Sequence, residues 1–387
     1  MLTLAVYWSV VPQRGKPYFL IGAGIVFYAW AVPAYLALIA SLGVLTYVAA
    51  RVLTQPHIAP GLRRLTFVLA VAGVVAVLLF FKYAKFITLT FDAVARAQLF
   101  PAPQIIVPLA ISFFTFEFVH VLVDAYIGKI KRIEPLEFAV FSMFFPTLVA
   151  GPIKRYESFA PQVRALVPLP RGTAALHLYR IAIGLIKKLV LADSARTLAQ
   201  PLVAPGAPYH ALDYWVAWLA YTAQIYFDFT AYSDIAIGVA GLLGFAIPEN
   251  FERPYWAPNI SAFWRRWHIS LSAWIRDYVF IPLGGSRRSP LIVSANLLVA
   301  MAIAGLWHGA AWTFVVWGLW HGGGLVLHRA WTTRIVPKVP ALRRGGFFLG
   351  AVSTSTTFAF VSVGWLLFAA TSFSNAGRVL HGLFRMG

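Results

Sequence analysis

Apolar runs recur along nearly the whole of this chain, at residues 18–30, 34–50, 65–81, 105–127, 214–227, 235–247, 291–307, 310–327 and 348–370. Several approach the ~20 residues with which a helix spans a bilayer, and the shorter ones can tilt or be sheltered by neighbours. Only 12% of the 387 residues are charged, about half the share of a soluble globular protein. The chain is therefore predicted to be an all-α integral membrane protein with many spans, folded as one domain over residues 1–387. The first eleven residues are apolar but lack a basic leader and a small-residue cleavage site. They read as a first short membrane helix and not as a removed signal.

In such a chain a titratable side chain inside an apolar run is a functional-site hypothesis, because hydrocarbon penalises it unless it is paired or faces a cavity. His308 is the clearest case, lying in Gly305-Leu306-Trp307-His308-Gly309-Ala310-Ala311-Trp312 within the stretch 291–327. The unperturbed pKa of histidine lies near neutrality, which suits general acid–base work. His268, in Trp264-Arg265-Arg266-Trp267-His268, is the second candidate. His57, His177, His210 and His381 read as solvated surface residues. His321 and His328 read as structural, although His321 precedes Gly322-Gly323-Gly324, where helices can approach closely. His120 shares a helix face with Glu117 and Asp124 by i, i+3, i+4 spacing. That trio reads as a mutually satisfied buried cluster in preference to a polar relay.

The net charge is +19. In a soluble protein that would suggest nucleic acid. Here the basic residues gather at the ends of apolar runs, as the positive-inside rule and anionic headgroups require, so the expected partners are membrane lipids and not nucleic acid. Placing the basic clusters at 14–16, 51–64, 129–132, 253–288 and 329–344 in the cytoplasm leaves an even number of crossings between each consecutive pair. Residues 135–152 are apolar but short and broken by prolines and a glycine, which suits a re-entrant hairpin sheltered by protein. Residues 174–198 are helical in pattern but carry Arg180, Lys187 and Lys188, which leaves the interface and the bundle interior both open. In residues 260–280, Phe263, Trp267, Leu271, Trp274 and Tyr278 recur at helical spacing, with Arg265, Ser272 and Arg276 on the other side. This predicts an interfacial amphipathic helix lying in the membrane surface.

Several catalytic classes are excluded. The sequence has no cysteine, hence no disulfide, no thiolate metal site and no cysteine-bound acyl intermediate. It has no Gly-x-Ser-x-Gly elbow, no His-Glu-x-x-His and no Walker loop. Asp228 and Asp234, inside an apolar region, keep one rival class open, an ion-coupled transporter.

Longer motifs carry more. Phe263-Trp264-Arg265-Arg266-Trp267-His268-Ile269-Ser270-Leu271-Ser272, then Trp274-Ile275-Arg276-Asp277-Tyr278 and Ile281-Pro282-Leu283-Gly284-Gly285, together with Gly305–Trp312, resemble the signature of bacterial membrane-bound O-acyltransferases, the MBOAT family. Ile111-Ser112-Phe113-Phe114-Thr115-Phe116, Phe144-Phe145-Pro146-Thr147, Ala150-Gly151-Pro152-Ile153, residues 228–237 and Pro248-Glu249-Asn250-Phe251 also match, in the same order. The resemblance is strongest over residues 111–330. The Pro282–Gly285 loop and the Arg265-Arg266 pair look more like the alginate O-acetyltransferase branch than the teichoic acid D-alanyltransferase branch. The chain is shorter than that branch leads one to expect, with a last helix missing or replaced by residues 372–387.

The resemblance implies a ring of helices around a funnel in the bacterial cytoplasmic (inner) membrane, with the two histidines near its base. It implies a cytoplasmic thioester donor, acetyl-CoA or a carrier-protein thioester, with no bound cofactor and no metal. The acceptor is reached from the other side, and an extracytoplasmic acyltransferase or acceptor protein completes transfer to a polysaccharide. Acetyl is the expected group and D-alanyl the runner-up. His308 is expected to act as general base on the acceptor hydroxyl, a contribution of roughly 100- to 10,000-fold. His268 is expected to position the donor or stabilise the oxyanion, helped by Arg265 or Asn259. Trp264, Trp267, Trp307 and Trp312 are expected to shape and dry the site, with Asp277 supporting it.

The absence of native cysteine makes single-cysteine labelling a clean test of orientation. Cysteines placed in 51–64, 128–132, 253–288 and 329–344 should be protected from an impermeant maleimide applied outside intact cells. Labelling of two or more of these loops from outside overturns the orientation.

Overall fold

The computed structural model describes residues 2–166, 172–204, 209–339 and 346–384. Among them the chain is helical, and extended pairing is confined to one antiparallel bridge between Phe251 and Trp267. Among the described residues four helices are both long and apolar enough to cross a membrane: Pro33–Leu53, Pro60–Ala95, Pro290–His308 and Phe347–Ala369. The all-α membrane class expected from the sequence is thus the observed one. Arg343 and Arg344 of the last basic cluster lie outside the described residues, as do the last three residues of the 372–387 tail.

Backbone contacts group the chain into two compact units. The first comprises Met1–Ile181 and Ile235–Pro248. It contains α1 (Leu2–Ser9), α2 (Lys16–Ala31), α3 (Leu36–Leu53) and α4 (Pro60–Leu78). A π-helical turn then leads into α5 (Ala84–Ala95), followed by α6 (Ile111–Tyr126), α7 (Pro135–Ser142), α8 (Tyr156–Ala165) and the start of α9 (Thr173–Ile186). The apolar run from residue 105 becomes helical only at Ile111, because Pro108 lacks an N–H and disfavours helical geometry just before it. The expected hairpin at 135–152 is α7 plus a 3₁₀ turn at Phe145–Thr147, with Phe138, Phe141 and Phe144 buried in protein.

The Glu117–His120–Asp124 trio is satisfied, but by neighbours. Lys154 Nζ lies 2.6 Å from Glu117 Oε1 with both side chains almost wholly buried. Tyr156 N–H donates to His120 Nε2 at 3.2 Å, so the ring proton sits on Nδ1, which donates to the Phe116 carbonyl at 3.3 Å. Asp124 pairs with Lys129. Desolvation of a buried ion pair roughly offsets its attraction, so the Lys154–Glu117 pair fixes which segments meet more than it adds net stability.

The second unit comprises Ala182–Asp234 and Glu249–Gly387. It holds the end of α9, α10 (Asp193–Leu198), α11 (Gln200–Val203) and most of α12 (Ala211–Leu242). It continues with α13 (Ile260–Arg266), α14 (Ile269–Ile275), α15 (Pro290–His308), α16 (Trp312–Ala330), α17 (Phe347–Ala369) and α18 (Phe373–Phe384). The apolar run at 214–227 and residues 235–242 of the next run belong to the single helix α12, which continues through Asp228 and Asp234 and ends at Leu242. Lysines make that continuity tolerable: Lys187 Nζ reaches Asp234 at 2.6 Å, and Lys188 Nζ reaches Asp228 at 2.8 Å and Asp193 at 2.9 Å. The placement of Lys187 and Lys188, open in the sequence, is therefore against α12. Residues 373–384 form an amphipathic helix whose Val379 and Leu383 pack on Leu202, Tyr214 and Leu366.

Candidate active site

His308 is positioned by the packing of α15 on α16. A Cβ on Gly305 would stand 2.1 Å from the Phe314 carbonyl oxygen, and one on Gly318 2.2 Å from that of Met301. Only glycine permits this approach, the close-packing device that small residues serve between membrane helices. Gly322 and Gly324 also lie in close contact, whereas Gly323 faces open space. Helix α15 ends at His308, where Gly309 turns to extended backbone, and α16 brings Trp317 against the imidazole at 5.2 Å between ring centroids.

His268 is positioned differently. The expected continuous helix over 260–280 is instead divided into α13 and α14, followed by a π-helical turn at Arg276–Phe280. The break falls at Trp267–His268, and His268 itself adopts φ +44°, ψ 53°. That left-handed conformation is costly for a residue with a Cβ, of order 1–3 kcal/mol, and such positions cluster at functional sites. Residues 250–252 hold the break open: Glu252 N–H donates to the Arg266 carbonyl and Ile269 N–H to that of Asn250, both at 2.9 Å. The aromatic stripe faces protein, since Phe263, Trp267, Leu271 and Trp274 are all buried. Tertiary packing, and not the acyl boundary, claims those rings.

The two imidazoles meet at 6.2 Å between centroids. His268 is fully buried, with Phe229 edge-on at 4.6 Å and Trp307 at 5.7 Å. His308 is partly buried among Trp307, Trp317 and Phe368 at 4.9, 5.2 and 5.1 Å. Burial first, and the neighbouring His308 second, hold the His268 pKa well below the ordinary histidine range, so its ring is neutral at physiological pH. Asn250 Oδ1 lies 3.2 Å from His268 Nδ1.

The remaining expected residues divide. Trp307 touches both histidines. Trp264 and Trp267 belong to the buried cluster with Phe263, Trp317 and Trp365 that backs the pair. Trp312 begins α16 and is half-exposed. Two proposed helpers are engaged otherwise: Asn259 caps α13, its Oδ1 accepting from Ala262 N–H at 2.8 Å, and the exposed Arg265 donates to Ser261 Oγ at 2.7 Å. A polar residue before a helix start and an arginine one turn from a serine are drawn to those local partners first. Asp277 accepts from Arg276 Nε at 2.8 Å. Asn250, Phe229, Trp317 and Phe368 were not singled out for the site. Of these Asn250 and Phe229 leave a trace in the sequence, in the Pro248–Phe251 and 228–237 motifs.

Two adjoining cavities lie in the same unit as the pair. One, of about 610 Å³, is lined by Arg276, Arg287, Arg288 and the Gly284-Gly285 turn. The other, of about 200 Å³, shares Arg276 and Phe280 with it and runs between Trp264, Ala300, Met301 and Ala304. Ala304 precedes His308 by one turn of α15, and Trp264 lies on α13 before the break at Trp267–His268. The arrangement is a basic mouth adjoining an apolar slot.

Residues 73–351 match the membrane-bound O-acyltransferase family, MBOAT. A probable alginate O-acetylase, AlgI, of Azotobacter vinelandii is 37% identical over 400 residues, covering 100% of this chain and 76% of that protein. A peptidoglycan O-acetyltransferase of Helicobacter pylori is 35% identical, covering 94% of this chain and 73% of its own. A teichoic acid D-alanyltransferase of Bacillus subtilis is 30% identical over 56% of this chain and 58% of its own. The chain belongs to the membrane-bound O-acyltransferase family and is an O-acyltransferase of the membrane.

The glycine contacts make a prediction. Gly318→Val drives side-chain atoms into the Met301 backbone and should cost about 1–3 kcal/mol by overpacking. It should lower the Tm of the purified protein and reduce turnover per folded molecule, because Trp317 and His308 move apart. Gly323→Ala, at an open position, is the control and should leave both unchanged.

Proposed function

We propose that this protein moves an acyl group, acetyl in the first place, from a cytoplasmic thioester donor to hydroxyls of an extracytoplasmic polysaccharide, and that His268 and His308 are its reacting pair. The observation that carries the reading is the meeting of two imidazoles inside one aromatic wall, in the unit that also holds a slot with a basic mouth. Acyl transfer needs a base for the acceptor hydroxyl and a group to hold the thioester carbonyl as its oxygen gains charge. The hydroxyl oxygen bonds to the carbonyl carbon as its proton passes to an imidazole. The C–S bond then breaks, and the same proton goes to the departing sulfur.

Donor chemistry fits the cavities. Acetyl-CoA and a carrier-protein thioester both present phosphate at one end of a slender arm, for which Arg276, Arg287 and Arg288 are suited partners. The O-acetylases match over most of this chain, whereas the D-alanyltransferases match over little more than half, so acetyl is preferred to D-alanyl. The pairing of Asp228 and Asp234 with lysines gives those acids a structural reason and favours transferase over transporter. The cytoplasmic membrane is the proposed location. An extracytoplasmic acceptor protein or acyltransferase is the proposed partner, and a soluble acyl carrier the proposed alternative source of donor.

Turnover of labelled thioester by purified protein in lipid nanodiscs, with and without an oligosaccharide acceptor, tests the reading. His268→Ala and His308→Ala should each lower turnover by about 100-fold or more, with folded yield preserved. Wild-type turnover in either variant removes that residue from the chemistry. A wild-type protein that moves solute and transfers no acyl group from any thioester removes the reading.

The basic mouth makes a separate prediction. Arg287→Ala combined with Arg288→Ala should raise the donor KM about tenfold, as expected for loss of charge-assisted hydrogen bonds worth about 1.4 kcal/mol. The KM effect should exceed the kcat effect. Equal loss in both would place these arginines outside donor binding.

A further inference from the structure

We infer that the slot along α15 and its basic mouth hold one acyl chain and the phosphate of an anionic phospholipid, and that this lipid competes with the donor for the arginines of the mouth. Lipid binding stands apart from the reaction; the competition rests on the acyl-transfer reading above.

Neither cavity is lined by His268 or His308, so the occupant need not carry the group that reacts. Leu297, Ala300, Met301 and Ala304 line the slot at i, i+3, i+4, i+7 spacing, from one face of α15. Leu271, Ile275 and Phe280 line it from the α14 side. Alanines at 300 and 304 leave room that larger side chains would fill. The one hydroxyl in the lining, Ser272 Oγ, already donates to the Trp267 carbonyl at 3.2 Å. Methylenes ask for no hydrogen bond, so a hydrocarbon chain suits these walls better than an arm carrying amides.

The depth of the slot also matches a lipid. Helix α15 has 19 residues and is apolar enough to cross a membrane. At 1.5 Å per residue it is about 28 Å long, close to the thickness of the hydrocarbon core. Its Pro290 end therefore marks one membrane surface, and Arg287 and Arg288 of the mouth stand just before it. The slot residues lie about 10 to 20 Å further along the helix, the depth of an acyl chain whose phosphate is at the surface. Charge completes the match. Arg276, Arg287 and Arg288 are exposed, and among the described residues their ion pairing is confined to Arg276 Nε with Asp277 at 2.8 Å. Arg288 lies across the Gly284 turn, where φ is +110° and a Cβ would stand 2.7 Å from Arg288 Cγ. Three guanidiniums against one carboxylate favour a headgroup of net negative charge over one that brings its own ammonium. A phosphate held there, whether of lipid or of donor, excludes the other.

The test uses the full-length protein. Native mass spectrometry of wild type offered equal phosphatidylglycerol and phosphatidylcholine should show phosphatidylglycerol retained. Ala300→Phe, which fills the slot, should lose it; Val299→Phe, on the exposed side of the same helix, should keep it. Equal retention by Ala300→Phe and wild type overturns the site, and equal retention of both lipids by wild type overturns the charge selection. Phosphatidylglycerol with a diazirine midway along one chain should label residues 297–304 of wild type. Label confined to other residues overturns the site even if Ala300→Phe fails to fold. In nanodiscs, phosphatidylglycerol replacing phosphatidylcholine should raise the donor KM of wild type and Val299→Phe, with kcat unchanged. The rise should be about tenfold when the lipid stands at ten times its dissociation constant. Surface charge alone would raise the KM of Ala300→Phe equally; that outcome, or a KM indifferent to the lipid, overturns the competition. Absence of wild-type acyl transfer would instead defeat the reading on which the competition rests, with lipid binding still decided by the mass spectra and the label.

Discussion

Two helices can set a histidine on one against an indole on the other only if their backbones come unusually close, and glycine at the crossing is what permits it. Gly305 on α15 and Gly318 on α16 each lie against a carbonyl oxygen of the partner helix. That crossing places Trp317 against His308, and through Trp317 ties the site to Trp264, His321 and Trp365. Replacing a large buried aromatic by alanine typically costs about 3–5 kcal/mol, so rings that locate the histidines also account for much of the stability of this unit. Site geometry and fold stability are carried here by the same contacts.

Around that crossing, polar groups are settled locally. Asp228 and Asp234 of α12 are neutralised by lysines of the 187–192 turn, which lets one 32-residue helix continue where two apolar runs were separated in the sequence. Asn259 closes the first turn of α13, and Asn250 closes the break between α13 and α14. Two asparagines nine residues apart thus have unrelated tasks. One serves a helix end, and the other lies against the ring of a site histidine. Partners decide between them, and partners are a property of the fold.

The break at His268 shows where periodicity stops being informative. Phe263, Trp267, Leu271 and Trp274 recur as one helical face should, and they are buried on one side as such a face should be. What the pattern does not carry is the left-handed residue between them. It is stabilised by pairing with residues 250–252, fourteen and more positions upstream in sequence, and a local window contains no trace of that pairing. For the same reason Arg265 looked like a site residue by its place in a motif, whereas its guanidinium is taken by Ser261 one turn away.

By itself the sequence determined the membrane class, the helical content and the family, and it singled out the two candidate histidines, because apolar run length, a titratable group in an apolar stretch and long ordered motifs are local properties of the chain. The tertiary structure alone decided that the histidines meet, that Trp317, Phe229 and Phe368 wall them in, that Asn250 lies against His268 Nδ1, and that a basic mouth adjoins an apolar slot. Each of these depends on which side chains are brought within a few ångströms across long stretches of chain, and that proximity is set by helix crossing and buried hydrogen bonding, which a linear pattern does not record.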